Sequence, residues 1–97
     1  MAQVVYSRRS LDHIERAFQS LRAKNPHAAQ SAVTAIQSAV ENLAAHPLVG
    51  RRVEGDLREL IISYGHCGYV ALYRFVVSRH EVRILAIRHQ REVGFVP

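Results

Sequence analysis

The spacing of apolar residues along this chain of 97 residues changes from a strand period to a helix period and back to a strand period. Residues 3–7 (QVVYS) form a short β-branched and aromatic run, which predicts a first strand. From Ser10 onward, apolar residues recur every three or four positions among charged ones. This pattern predicts an amphipathic helix capped by Ser7 or Ser10. We expect its apolar stripe to be buried: Leu11, Ile14, Phe18 and Leu21.

A second helix is predicted directly after the first, with a turn at Asn25-Pro26 between them. Asparagine suits the N-cap of a helix, and proline suits its first turn. This helix should end before Pro47, because the residue preceding a proline disfavours helical geometry. Its predicted apolar stripe consists of Ala29, Val33, Ile36, Val40 and Leu43. We therefore expect the two helices to form a helical hairpin.

The remainder of the chain has the pattern of a β-sheet. Residues 46–55 are expected to form a loop, and strands are predicted at 57–64, 69–77 and 81–88. The short links between these strands favour antiparallel neighbours. The predicted fold class is α+β with the order β-α-α-β-β-β, an antiparallel sheet with the helical hairpin packed on one face. The length is that of a single domain, which we expect to span residues 1–97.

Charge indicates what the protein binds. The chain carries 13 basic and 8 acidic residues, for a net charge of +5, and all but one of the basic residues are arginine. Guanidinium groups pair well with carboxylates and phosphates, so we expect an acidic protein segment, nucleic acid, or both as partners. A single cysteine and a start without an apolar run favour the cytoplasm. No apolar stretch reaches the length of a membrane span, so we expect no membrane association.

The sequence gives only weak signals for a metal site, a cofactor site or a nucleophilic cysteine. The six histidines, most of which we expect at the surface, show no metal-binding spacing, and no glycine-rich phosphate loop is present. We therefore expect neither a metal nor a cofactor. His66-Cys67 lacks a recognisable third partner for a nucleophilic dyad, and Cys67 is interpreted as a partly buried hydrophobe. Arg74 lies on an apolar strand, where a buried charge needs a partner, and we expect Glu59 or Glu81 to pair with it.

Particular residues resemble those of a known family. The segments VVYS, AHPLVGRRVEGDLREL, YVALYRF and ILAIRHQREVGF resemble the RelE/ParE superfamily of toxins from type II toxin–antitoxin modules. The resemblance covers essentially the whole chain and is greatest to the ParE-like branch. Its motifs are Gly50-Arg51, Arg58-Glu59-Leu60, Tyr73-Arg74 and His89-Gln90-Arg91.

The resemblance implies a toxin held silent by a cognate antitoxin with an acidic tail and a DNA-binding domain. ParE-like members poison DNA gyrase and so stop replication, whereas RelE-like members are ribosome-dependent endoribonucleases that cut mRNA. We expect Arg51, Arg52 and Arg58 to contact the antitoxin, because the net positive charge is carried by guanidinium groups suited to carboxylates. The residues expected to contact the target are Arg74, Arg88, His89, Arg91 and Phe95. Direct binding of nucleic acid stays open.

Chemistry favours the gyrase inhibitor. RNA cleavage without a metal needs a base for the 2'-hydroxyl, an acid for the leaving oxygen and cations for the phosphorane. Val70 stands where an RNA-cutting relative would carry an arginine, and Phe95 stands where a tyrosine is common, although a phenyl ring donates no proton. The alternative is a RelE-type endoribonuclease that uses Arg88, His89 and Arg91. A third interpretation is a toxin-derived binding module that has lost its toxicity.

Overall fold

The computed structural model describes residues 1–65, 67–92 and 94–95, without the side chain of Cys67. The His66-Cys67 pair considered above therefore lies outside the described side chains. The five strands are β1 (Gln3–Tyr6), β2 (Arg51–Glu54), β3 (Leu57–Tyr64), β4 (Cys67–Val76) and β5 (Glu81–His89). The two α-helices are α1 (Arg8–Arg22) and α2 (Pro26–Glu41), and short 3₁₀ helices occupy Asn42–Ala44 and Val77–Arg79.

Both helices begin where the sequence predicts. The Ser7 side chain caps α1 by accepting a hydrogen bond from the Ser10 N–H at 3.0 Å. The Asn25 side chain caps α2 by accepting from the N–H groups of the two residues after Pro26. These bonds satisfy donors that the first turn of a helix otherwise leaves unpaired. The predicted helical hairpin is therefore present.

The sheet has the strand order β1-β5-β4-β3-β2. The predicted α+β class is confirmed, and two details differ from the prediction. Residues 51–54, which were expected in a loop, form the edge strand β2 and pair antiparallel with β3. Strand β1 pairs with β5 in parallel, so the sheet is mixed, while the pairs β3–β4 and β4–β5 are antiparallel as expected.

The core lies between α2 and one face of the sheet. Ile36, Val40 and Leu43 are fully buried against central strand residues that include Tyr73 and Ile84. For α1 the burial prediction was wrong in part, because Leu11 is 48% exposed. The other three stripe residues of α1 are half-buried: Ile14, Phe18 and Leu21.

Two polar residues of α1, Ser10 and His13, are buried instead, and the unequal length of two strands explains the burial of His13. Strand β1 pairs with β5 only as far as Ile84, so the rest of the β5 edge needs other partners. The buried His13 supplies one, because its Nδ1 accepts a hydrogen bond from the Ile87 N–H at 3.0 Å. The Ser7 hydroxyl supplies another by donating to the Leu85 carbonyl at 3.0 Å.

No helix in the described ranges is long and apolar enough to cross a membrane.

Candidate functional site

The residues singled out from the sequence fall into two groups at opposite ends of β4. Tyr69, near one end, contacts His89, and Arg74, five residues further along, pairs with Asp56. Five residues of a strand span about 17 Å. Arg88, His89, Arg91 and Phe95 lie in the first group, whereas Arg74 lies in the second with Arg51, Arg52 and Arg58. The proposed target-contact residues are therefore not all brought together.

Arg88 organises the turn that follows β5. Its Nη1 donates to the carbonyl oxygens of His89 and Gln90 at 3.3 Å and of Glu92 at 2.9 Å. The Phe95 ring lies over the guanidinium group, with its centroid 5.2 Å from Cζ, a cation–π geometry. The Arg88 Nε is buried and has no hydrogen-bond partner among the described residues. The guanidinium group thus holds the C-terminal turn in place.

His89 is fixed by its neighbours in the same turn. Its Nδ1 accepts a hydrogen bond from the Arg91 backbone N–H at 3.1 Å, and its own backbone N–H donates to the Glu92 carboxylate at 3.1 Å. The imidazole ring meets the ring of Tyr69 edge to face, with centroids 5.5 Å apart. An Nδ1 that accepts carries no proton, so the proton of the neutral ring is on Nε2. In this arrangement His89 offers a donor and no free acceptor.

A cleft of about 520 Å³ lies beside this turn, between α1 and the C-terminal end of β5. The volume is within the range of ligand-binding pockets. The cleft combines an apolar floor with a mainly basic rim, on which Glu92 is the one acidic residue. Its basic side chains are Arg16, Lys24, Arg88 and Arg91, and its apolar ones include Ala17, Leu21 and Ile87. The rim suits an anionic partner.

Two rings in the cleft were not singled out for this site from the sequence. His13, expected at the surface with most histidines, is 5% exposed and lines the cleft. Tyr69 is also 5% exposed, and burial raises its pKa, with smaller contributions in the same direction from Tyr64 and Glu92. A raised pKa makes the phenol a weaker proton donor. The sequence did contain a signal for the position of His13. Ser10, His13 and Ala17 are three and four residues apart, so they lie on the same side of a helix.

The second group of arginines lies around the β2–β3 hairpin. Arg51 pairs with Glu59 across the two strands at 3.0 Å, with 77% of the arginine side chain exposed. Arg52 donates to the Gly55 carbonyl from Nε and Nη2, at 3.1 and 2.8 Å. Gly55 has a φ of +54°, a conformation that glycine adopts readily in a tight hairpin.

Arg58 and Arg74 differ from each other in what they bind. The Arg58 Nη1 donates to the carbonyl oxygens of Leu48 at 3.0 Å and Gly50 at 2.8 Å. Arg74 pairs with Asp56 at 3.1 Å, so the expected partners of Arg74 were wrong. Glu59 is bound to Arg51 and Glu81 to Arg83. The half-exposed Arg74 therefore has a surface ion pair and not a buried one.

The same end of the sheet contains a buried polar contact. Tyr73 is fully buried, and its hydroxyl accepts a hydrogen bond from the Gly50 N–H and donates one to the Pro47 carbonyl, both at 2.8 Å. Burial raises the pKa of Tyr73, and the Gly50 bond and the Arg58 charge oppose that rise.

Within residues 1–65, 67–92 and 94–95, no three metal-ligating side chains lie close together.

The comparisons with known proteins agree with this fold. A family model described as the ParE toxin of the type II toxin–antitoxin system, parDE, matches residues 4–94. The chain belongs to this family of ParE/RelE-type toxins. Among curated proteins it is similar to Toxin RelE3 of Caulobacter vibrioides, with 41% identity over 89% of this chain and 88% of the relative. It is also similar to Toxin RelE2 of the same organism, with 32% identity over 92% and 96% of the two chains.

Solved structures show the same fold at low sequence identity. A chain of the chromosomal ParDE system from P. aeruginosa superposes with a TM-score of 0.77 at 22% identity, covering 92% of this chain and 96% of that one. A chain of the intact RelBE toxin–antitoxin complex of E. coli gives a TM-score of 0.63 at 11% identity, covering 96% and 100%. The isolated RelE toxin of E. coli gives 0.65 at 10% identity, covering 97% and 89%. Chains from a ParDE and a RelBE toxin–antitoxin system thus share this architecture.

Proposed function

We propose that this toxin inhibits DNA gyrase, and so DNA replication, without acting as an enzyme. The observation that carries this proposal is how Arg88 and His89 are bonded in the C-terminal turn. Both side chains that a nuclease would need are used to hold that turn, through backbone carbonyls and a backbone N–H. We place the target contact at Arg88, His89, Arg91 and Phe95, beside the basic cleft, with Arg74 as a separate contact at the other end of β4.

The protonation of His89 supports this proposal further. To act as a general base, its Nε2 would have to be unprotonated, and the proton would then sit on Nδ1, facing the Arg91 N–H. To act as a general acid, the ring would have to carry both protons, which breaks the same hydrogen bond. Either role therefore requires the turn to rearrange. Tyr69, the nearby phenol, has a raised pKa and is a poor substitute for the acid.

A ribosome-dependent endoribonuclease is the second candidate. It is favoured by the names of the relatives that match at 41% and 32% identity, which are RelE toxins. In this alternative Arg88 would stabilise the phosphorane and His89 would exchange the protons, with Arg91 as a further cation. The aromatic ring of Phe95 already covers Arg88, so the catalytic turn would have to open when RNA binds.

The expected partners follow from the proposal that the protein is a toxin that inhibits gyrase. We infer that a cognate antitoxin with an acidic tail and a DNA-binding domain neutralises the toxin in the cytoplasm, as the ParDE and RelBE systems with this fold support. The exposed Arg51 and Arg52 suit carboxylates on such a tail. The proposal includes neither a cofactor nor a metal, and it leaves direct nucleic-acid binding to the nuclease alternative.

The experiment is induction of the chain in cells that lack the antitoxin, with DNA and protein synthesis followed by pulse labelling. We expect DNA synthesis to stop first, because a gyrase inhibitor blocks the replication fork while existing mRNA is still translated. Co-expression of the protein encoded in the neighbouring reading frame should restore growth. Protein synthesis that stops first would instead support the nuclease.

A further inference from the structure

Half of the large exposed apolar side chains come from one stretch of the chain. Eight large apolar side chains are exposed in the described part of the chain, and half of them fall between residues 48 and 61. These four are Leu48, Val49, Val53 and Ile61. Apolar side chains scattered singly over a surface are ordinary, whereas a group of them marks a binding surface. Leu48 and Val49 are the most exposed of the group, at 58% and 64%.

The backbone that carries Leu48 and Val49 is held from the inside. Residues 47–50 form a loop to which the Tyr73 hydroxyl and the Arg58 guanidinium group make four hydrogen bonds. Tyr73 bonds the carbonyl at one end of the loop and the N–H at the other, both at 2.8 Å. Arg58 bonds the Leu48 and Gly50 carbonyls at 3.0 and 2.8 Å. The loop therefore has a fixed backbone and two exposed aliphatic side chains.

Gly50 shows how closely this loop is packed against the sheet. A Cβ atom at this position would lie 2.5 Å from Cε1 and 2.6 Å from the hydroxyl oxygen of Tyr73, so only glycine fits. With its backbone packed inward, the loop presents Leu48 and Val49 outward. A loop fixed in this way needs little further ordering when a partner binds, and the entropic cost of association falls accordingly.

Charge indicates what kind of partner fits. Residues 47–53 (PLVGRRV) carry two positive charges and no negative one. Arg51 already pairs with Glu59 of β3, and 77% of its side chain stays exposed for a further carboxylate. Two copies of a chain with a net charge of +5 repel each other, which disfavours a second copy as the partner. The phosphates of nucleic acid would pair with Arg51 and Arg52 but would leave Leu48 and Val49 without an apolar partner. The remaining fit is a protein segment with apolar residues beside carboxylates.

We propose that Leu48 and Val49 are the apolar contacts of the antitoxin's acidic segment, with its carboxylates at Arg51 and Arg52. This inference rests on the proposed function, since it takes the antitoxin as the partner. It assigns Arg58 a different role from the one expected from sequence. Arg58 and Tyr73 are positioning residues, which act through the loop and not by touching the partner.

The contact is tested by comparing two variants of the full-length chain. The partner is the protein encoded in the neighbouring reading frame, purified separately, and its Kd is measured by calorimetry. Leu48→Ala combined with Val49→Ala should weaken binding by about tenfold or more, as removal of buried interface anchors does. Val77→Ala is the matched control, because Val77 is 76% exposed and lies at the β4–β5 link. It should change the Kd by less than about twofold.

The positioning role is tested with Tyr73→Phe, which removes a buried hydroxyl and leaves the surface unchanged. Hydrogen exchange at the Gly50 amide should become faster by about tenfold or more, and binding should weaken, at a temperature where circular dichroism shows the variant fully folded. Faster exchange with an unchanged Kd would contradict the positioning role.

The outcomes separate this inference from the proposed function. If the neighbouring protein binds the unaltered chain and the double variant binds as tightly as Val77→Ala, the contact is overturned while the antitoxin assignment stands. If the neighbouring protein does not bind the unaltered chain, the antitoxin assignment and the contact both fall.

Discussion

His13 and Tyr73 are buried side chains whose hydrogen bonds join parts of the chain that are distant in sequence. A histidine within a charged helix face looks solvated, yet His13 is buried because β5 extends beyond β1 and its Ile87 N–H needs an acceptor. The relative length of β1 and β5, which are 75 residues apart in the chain, sets that need. The residues around His13 in the sequence therefore do not reveal it. Arg74 was expected to be paired, and the sequence could not say that Asp56, from the hairpin turn, would reach it.

Alkaline pH provides a test of the Tyr73 contacts. Because burial raises the pKa of Tyr73 above its ordinary 10.0, the protonated phenol is favoured by folding. Its stabilisation is fully present below pH 10.0 and is lost as the pH rises through the higher pKa of the folded state. Ionisation would also remove the donor to the Pro47 carbonyl.

We therefore expect the free energy of unfolding to fall with pH above 10.0 in the native chain, and less steeply in Tyr73→Phe. Urea denaturation from about pH 8 to about pH 11 measures both slopes. Some slope should remain in the variant, since burial also raises the pKa of Tyr6 and Tyr69. Equal slopes in the two proteins would contradict the assignment to Tyr73.

At the scale of elements, the helices were predictable and two features of the sheet were not. The caps Ser7 and Asn25 are local signals, and they hold in the structure. The stripe of α2 holds in part, because Ala29, Ile36, Val40 and Leu43 are buried whereas Val33 is half-buried. Strand β2 (RRVE) carries three charged residues in four, and all four are exposed, so no alternation marks it. The parallel pairing of β1 with β5 joins the two ends of the chain, and short links predict only sequential neighbours.

The α2 stripe gives a stability prediction with a control in α1. Ile36 is fully buried in the core, so Ile36→Ala should lower the free energy of unfolding by about 2 to 5 kcal/mol. Leu11 belongs to the corresponding apolar stripe of α1 but is 48% exposed. Leu11→Ala should therefore lower the free energy of unfolding by no more than about 0.5 kcal/mol. Chemical denaturation measures both. Similar losses for the two variants would show that the two helices contribute to the core equally.

At the scale of the whole molecule, the arginines singled out from the sequence as contacts lie in two regions. One region is the cleft beside the C-terminal turn, and the other is the loop and hairpin that carry Arg51 and Arg52. The sequence resemblance indicated both sets of residues, because their motifs are local. It could not indicate that Arg74 lies with the hairpin group, or that Arg88 is used to hold the turn, since both depend on side-chain contacts across the fold.

Two regions allow two partners. A toxin is silenced by one protein and acts on another. If the two contact surfaces lie apart, the antitoxin need not resemble the target protein. We propose that the antitoxin binds at the hairpin and the loop, while gyrase is contacted at the C-terminal turn and, separately, at Arg74. The hydrogen bonds of Arg88 and His89 support the proposal that this turn does not carry nuclease chemistry.

The most direct measurement of this central claim uses the purified chain in two assays side by side, gyrase supercoiling and ribosome-dependent mRNA cleavage. The native chain should inhibit supercoiling and leave mRNA intact. Phe95→Tyr should behave like the native chain in both, because the ring at position 95 packs on Arg88 and its hydroxyl has no role in a gyrase inhibitor. Cleavage of mRNA by the native chain that falls by about 10² or more in His89→Ala, with supercoiling unaffected, would contradict the account and identify an enzyme.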